Sequence, residues 1–192
     1  MEPWVWIVIA VVVIALIAWA AIEASRRRRT ESLRSQFGDE YDRVVDTAES
    51  PREAESDLEQ RRRRREALEI TPLPPGARAR YVEEWRSVQA RFVDDPTGAL
   101  AAADALVTQV MSERGYPMED FDQRAADISV DHPRTVEDYR VAHDISTRIG
   151  DRDGDGDADT EEMRRAMVHY RSLFDELLEE ADGGGTGETR AG

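Results

Sequence analysis

Apolar residues fall along this chain in three regimes. From Pro3 to Ile22 there are 20 consecutive uncharged residues, W-V-W-I-V-I-A-V-V-V-I-A-L-I-A-W-A-A-I after the proline, bounded by Glu2 and Glu23. From Leu33 to Val45 apolar positions return only every three or four residues, and from 76 onward that helical spacing becomes regular and persists to Leu178. No stretch alternates convincingly with period two. The pattern therefore predicts an all-α chain: an N-terminal transmembrane helix, juxtamembrane and stalk helices, then a bundle of about five helices.

As a helix, residues 3–22 extend about 30 Å, the thickness of a bilayer core. Trp4 and Trp6 near one end and Trp19 near the other fall where aromatic belts lie. A cleavable signal peptide needs a positive n-region, and only Met1, Glu2 and Pro3 precede the run, although Ala18, Ala20 and Ala21 offer Ala-x-Ala-like positions. Directly after the run comes Arg26-Arg27-Arg28-Arg29. The positive-inside rule places that flank in the cytoplasm, so the expectation is a single-pass plasma-membrane protein with a cytoplasmic C-terminal domain.

Beyond the arginines, Leu33, Phe37, Tyr41, Val44 and Val45 recur around one glycine, which predicts a short amphipathic juxtamembrane helix. P-R-E-A-E-S-D-L-E-Q-R-R-R-R-R-E-A-L-E, from Pro51, has proline at a helix N1-like position, acids in the first turn and almost no apolar face. Asp57–Arg61, Glu59–Arg63, Arg62–Glu66 and Arg65–Glu69 are i,i+4 pairs, so Arg61 to Arg65 read as part of a solvated stalk rather than a nucleic-acid arm. T-P-L-P-P-G, Thr71 to Gly76, breaks the helix and marks the expected domain boundary, leaving residues 26–70 as juxtamembrane and stalk helices.

Residues 76–180 carry the predicted helical domain. Its first stripe is Tyr81, Trp85, Val88 and Phe92, and Asp94-Asp95-Pro96-Thr97 stops that helix and caps the next. Leu100, Ala103, Leu106, Val107, Val110 and Met111 follow, ended by Gly115 with Pro117 two residues on. A short helix holds Met118, Phe121, Ala125 and Ile128. Past His132-Pro133, Thr135 with Asp138 forms a variant capping box before Tyr139, Ala142, Ile145 and Ile149. The last helix, from about Asp159, shows Met163, Met167, Tyr170, Phe174, Leu177 and Leu178. Residues 183–192, ending G-G-G-T-G-E-T-R-A-G, are expected to be a disordered tail.

Y-V-E-E-W-R-S-V-Q-A-R-F-V-D-D-P at 81–96, V-M-S-E-R-G-Y-P at 110–117, D-I-S-V-D-H-P at 127–133 and M-V-H-Y-R-S-L-F-D-E-L-L at 167–178 resemble a widespread group of uncharacterised actinobacterial proteins. Members of that group are single-pass and membrane-anchored, with an arginine cluster, an R-F-G-x-E-Y-D-like segment and a helical domain. Here the middle element departs slightly, as S-Q-F-G-D-E-Y-D. The resemblance implies architecture and anchoring and carries no activity. It also implies that Asp151–Asp157 is closer to an insertion than to a family site.

Charge and residue types narrow the chemistry. The formal net charge is −15, and residues 71–192 hold 14 Arg against 27 Asp and Glu, so the C-terminal part repels nucleic acid. All 26 basic residues are Arg, which reads as GC-rich coding. The absence of cysteine removes disulfides, thiolate zinc sites, iron–sulfur ligation and a cysteine nucleophile. One stretch fits a metal template: in D-R-D-G-D-G-D-A-D-T-E-E, Asp151, Asp153, Asp155, Asp157, Asp159 and Glu162 fall at positions 1, 3, 5, 7, 9 and 12 of an EF-hand loop, with Gly156 at the sharp turn. Its flanks lack the apolar brackets of paired loops, and Asp159 with Glu162 also makes an N-cap and N3 acid pair. Ca2+ is the one candidate cofactor, and weak, incidental cation binding is the expectation.

His132, His143-Asp144 and neighbouring carboxylates superficially resemble a metal phosphohydrolase pattern, but the two histidines are too close in sequence. His132 reads as a loop residue and His143 and His169 as polar positions on helix faces. No phosphate loop, nucleophile elbow or zinc motif occurs, so the chain is expected not to be an enzyme. The leading expectation is a membrane-anchored interaction or scaffold module whose partners are proteins, with no nucleic acid and no small-molecule substrate. A calcium-responsive sensor is the alternative, and an enzyme the third reading.

Overall fold

The computed structural model describes the backbone of residues 3–151 and 160–183. Among these residues the chain is all-helical: α1 Pro3–Phe37, α2 Asp39–Thr47, α3 Pro51–Glu66, α4 Ala77–Arg91, α5 Pro96–Arg114, α6 Phe121–Ile128, α7 Val136–Asp151 and α8 Thr160–Gly183. It divides into two compact units, Met1–Glu59 and Gln60–Gly192. The tail expected after Gly183 lies outside the described residues.

In the first unit, α1 carries the apolar run and the arginine cluster on one helix. Gly38 ends it at φ 52°, a left-handed conformation that glycine adopts without Cβ strain, and α2 begins at once. The expected juxtamembrane helix is therefore two helices. Leu33 and Phe37 on α1 and Tyr41 and Val44 on α2 are buried, while Val45 is only partly so. The solvated-stalk expectation for α3 is corrected: Ala54 and Leu58 are fully buried. Two apolar residues four apart share one face of a helix, which is enough to seat it even when nearly every other position is charged.

Along α1, the side chains from Val11 to Ile22 stand exposed among the described residues, with Ile14, Ile17 and Trp19 each more than 60% accessible. Side chains at 1–3 and 5–10 lie outside the described residues, and among the described residues no helix is long and apolar enough to cross a membrane.

The second unit has the five-helix bundle, α4 to α8, that periodicity predicts. Tyr81 and Trp85 of α4, Leu100 to Met111 of α5, Ala125 and Ile128 of α6, Tyr139 to Ile149 of α7 and Met163 to Leu178 of α8 form one core. Val88 and Phe92 are half-buried against it. Met118 departs from its stripe: it precedes α6 and is exposed. Trp85 stacks on Phe174 with ring centroids 4.7 Å apart. Contacts between Thr97 and Met163, Tyr170 and Asp104, and Arg114 and the Leu177 carbonyl rise together in number, so α5 and α8 run parallel. Arg148 with Glu162 and His169 with Asp138 run oppositely, so α7 and α8 are antiparallel.

Helix ends follow the sequence in part. Asp95 caps α5, accepting from the Gly98 N–H at 2.9 Å, with Pro96 at the first turn. Asp120 caps α6 by accepting from the Gln123 N–H at 2.8 Å. The expected capping box at α7 is not made: the Thr135 hydroxyl is buried with no hydrogen-bond partner, and Asp138 engages His169 Nδ1 at 2.8 Å. Asp138 has a tertiary partner within reach, which leaves its own helix terminus unserved.

The segment from Gln60 to Gly76 packs with the bundle rather than standing apart from it. The Thr71 N–H donates to the Arg114 carbonyl at 2.8 Å, and Leu73 is buried. Gly115 ends α5 at φ 98°, and a Cβ there would approach the Glu69 carbonyl oxygen to 2.6 Å. Gly76 also has a positive φ, 83°, but open space around it. Gly76→Ala should therefore cost about 1 kcal/mol from left-handed strain alone. Gly115→Ala should cost at least about 2 kcal/mol, since a backbone carbonyl must move as well. Urea unfolding of both variants measures the difference.

Candidate functional site

The arginines at the end of α3 are placed by the bundle. Arg62 Nε lies 3.8 Å from Glu66, as the i,i+4 spacing predicts. Arg65 instead pairs with Asp131, not Glu69, and Tyr116 OH donates to the same Asp131 at 2.7 Å. Burial first, and then Asp131, push the Tyr116 hydroxyl far above the ordinary tyrosine range, so it remains a donor. Arg64 reaches Glu119 at 2.9 Å and Asp127 at 3.4 Å. These carboxylates are distant in sequence from Arg64 and Arg65; Arg65 becomes partly buried, while Arg64 stays exposed.

The three histidines each face their own carboxylate. His132 lies in the loop between α6 and α7, as read from the sequence, but it is fully buried there, with Nδ1 3.0 Å from Glu176. His143 lies flat on Phe121 with centroids 3.7 Å apart, and its Nδ1 is 3.7 Å from Asp104. His169 faces Asp138. The Asp104 carboxylate also accepts from Tyr170 OH at 2.9 Å. Burial pushes the Asp104 carboxyl up, but His143 and Tyr170 lower it by more, so it titrates below the usual carboxylate range. Its contribution to stability is present above the ordinary aspartate pKa and is lost as pH falls through the depressed value. These are tertiary ties: the α6–α7 loop to α8 through His132, α7 to α5 through His143 and α8 to α7 through His169.

Of the six residues assigned to a calcium loop, Asp153, Asp155, Asp157 and Asp159 lie outside the described residues, as does the side chain of Asp151. Glu162 is described, at the start of α8. It accepts from Arg148 Nη2 at 2.6 Å, and Arg148 Nε is also 3.1 Å from Asp144. A carboxylate that closes a calcium loop must present both oxygens to the ion. Glu162 has a guanidinium on one of them, which an ion at that position would have to displace. Among the described residues no group of three or more His, Asp or Glu is placed to hold a metal.

Periodicity did not reveal the apolar groove between the end of α4 and the outer face of α8. Phe92, Met167 and Val168 form its floor and Arg164 and Arg171 its sides, enclosing about 220 Å³. Val168 is 59% exposed. Arg171 lies over the Trp85 ring at 5.5 Å and over Phe174 at 6.0 Å, with its Nε on Asp175 at 2.5 Å. Arg164 is held by Glu161, whose carboxyl it keeps below the usual range. Both arginines line the groove while paired with a carboxylate on their own helix. Val168 sits one position from the buried Met167 and carried the available signal: an apolar residue off the core stripe of α8.

No protein-family model matches the chain, and neither a curated protein nor a solved structure is significantly similar to it.

Calcium must displace Arg148 to reach Glu162. Calorimetric titration of the full chain is expected to show only weak binding, near the millimolar regime at roughly −4 kcal/mol. Arg148→Ala should tighten it about tenfold by freeing a charge-assisted acceptor, and adding Glu162→Gln should erase that gain.

Proposed function

We propose that this protein is a single-pass membrane-anchored interaction module whose acidic helical domain lies in the cytoplasm and docks a protein segment in the groove between α4 and α8. The anchoring rests on the uncharged run from Pro3 to Ile22, on the uncovered apolar side chains from Val11 to Ile22, and on Arg26 to Arg29 directly after them. The likeness of residues 81–178 to the actinobacterial anchored group belongs to the same reading.

One observation carries the docking proposal: an apolar floor of Phe92 and Met167, with Val168 exposed on it, lies between two arginines in a domain of net negative charge. That combination fits an amphipathic helix with apolar residues on one face and Asp or Glu at its edges. The apolar face supplies most of the binding energy and the acidic edges set orientation.

The test uses two helical peptides with the same apolar face, one edged with Glu and one with Lys. The Glu peptide should bind, more weakly at higher salt, and Val168→Asp should weaken it at least about tenfold. Equal binding of the Lys peptide, or no effect of Val168→Asp, overturns the docking proposal. For the anchor, the full chain should stay with membranes through an alkaline carbonate wash, and deletion of residues 3–22 should release it. A C-terminal reporter active only outside the cytoplasm would reverse the topology.

A further inference from the structure

Within the first unit, α1 and the start of α3 form an open cleft of about 510 Å³. Arg26, Arg29 and Thr30 line it from α1, and Arg52, Glu55 and Ser56 from α3. The other arginines of this unit that appear in ion pairs make local ones: Arg27 with Glu23, Arg34 with Asp42 and Arg43 with Glu40. Among the described residues the side chains of Arg26, Arg29 and Arg52 form no ion pair or hydrogen bond, in a protein with 41 acidic residues.

The single carboxylate of the cleft does not serve them. Glu55 Oε1 accepts the Thr30 hydroxyl at 2.6 Å and the Tyr41 hydroxyl at 3.3 Å. Burial, followed by Glu55 itself, raises the Tyr41 hydroxyl above its ordinary range, so it stays protonated and donating. Glu55 is thereby held to its own wall, and three guanidinium groups face the cleft against one carboxylate. Pro51, at the first position of α3, adds the partial positive charge of a helix N-terminus. Ser56 supplies a hydroxyl donor one turn beyond Arg52.

We propose that this cleft binds a phosphate group. Arginine matches phosphate because its planar fork donates two parallel hydrogen bonds to two oxygens, and three such groups around one cleft can share a single tetrahedral anion. The position along α1 supplies a natural source. Arg26 follows Ile22 by about 6 Å and Arg29 by about 10 Å along a helix axis. The headgroup layer begins where the hydrocarbon core ends and is roughly 5–8 Å deep on each side. Lipid headgroup and free phosphate share the recognised chemistry. The lipid source rests on the anchoring proposed above, whereas the phosphate site does not.

The experiment uses the full chain, reconstituted in phosphatidylcholine nanodiscs, with inorganic phosphate titrated calorimetrically. Saturable binding is expected. Arg26→Gln, Arg29→Gln and Arg52→Gln should each weaken it about tenfold. Arg27→Gln, whose arginine is paired with Glu23 outside the cleft, should change it less than about twofold. Unchanged helical circular dichroism in each variant shows that binding and not folding was altered. Loss of the phosphate heat in discs that also contain phosphatidic acid identifies the lipid headgroup as the occupant, and undiminished heat there identifies free phosphate; both support the site. Absence of saturable binding, or an equal effect of Arg27→Gln, overturns it. Should the chain fail to enter discs by size exclusion, the anchor fails, and the same titration on the chain alone still decides the phosphate site.

Discussion

The apolar stripe of α8 is the constraint on which the second unit depends. Met163, Met167, Tyr170, Phe174, Leu177 and Leu178 recur at three- and four-residue steps along 24 residues of helix, and they are buried from end to end. A stripe of that length cannot be covered by one neighbour. α5 lies parallel to it and α7 antiparallel, while Trp85 of α4 closes over Phe174. Polar ties accompany this covering: α5 brings Asp104 to Tyr170 and Arg114 to the Leu177 carbonyl, and the loop before α7 brings His132 to Glu176. Burial of these groups makes the ties obligatory, because an unpaired polar atom in the interior costs more than the hydrogen bond returns. The groove at Phe92, Met167 and Val168 lies where α4 ends and coverage of α8 runs out.

Arginine does two kinds of work here. Some arginines are spent inside the fold: Arg65 on Asp131, Arg64 on Glu119 and Asp127, Arg148 on Asp144 and Glu162. Others remain at surfaces where a ligand can use them. Arg171 is the intermediate case, since stacking on Trp85 and Phe174 fixes the guanidinium while leaving one edge of the groove positive. In the α1/α3 cleft the one lining carboxylate, Glu55, accepts from two hydroxyls rather than from an arginine.

The local signals that survived are those whose physical basis is local. Asp95 and Pro96 start α5 and Gly115 ends it because the acceptor, the fixed φ and the missing Cβ act within one turn. The signals that failed had competitors elsewhere in the fold. Thr135 and Asp138 match a capping pattern, yet Asp138 faces His169, which is distant in sequence. Arg65 stands four residues from Glu69, yet Asp131 is the acid it meets, because i,i+4 spacing states which partners are reachable and not which are nearest after folding. Met118 kept step with the stripe of Phe121, Ala125 and Ile128 but lies ahead of the helix, where the period has no meaning.

By itself the sequence determined the all-helical class, the helices α4 to α8 and which face of each is buried, since helical periodicity states the burial requirement before any partner is known. Only the tertiary structure decided which polar groups pair: that His132 is interior and tied to Glu176, that Arg148 sits on Glu162, that Ala54 and Leu58 seat a helix composed mostly of charge. It also decided where two surfaces are left incomplete, the groove over Val168 and the cleft around Arg26, Arg29 and Arg52. The reason is physical. A hydrophobic pattern repeats along one helix, whereas an ion pair or a cleft is a relation between two helices, and that relation comes into being only when they pack.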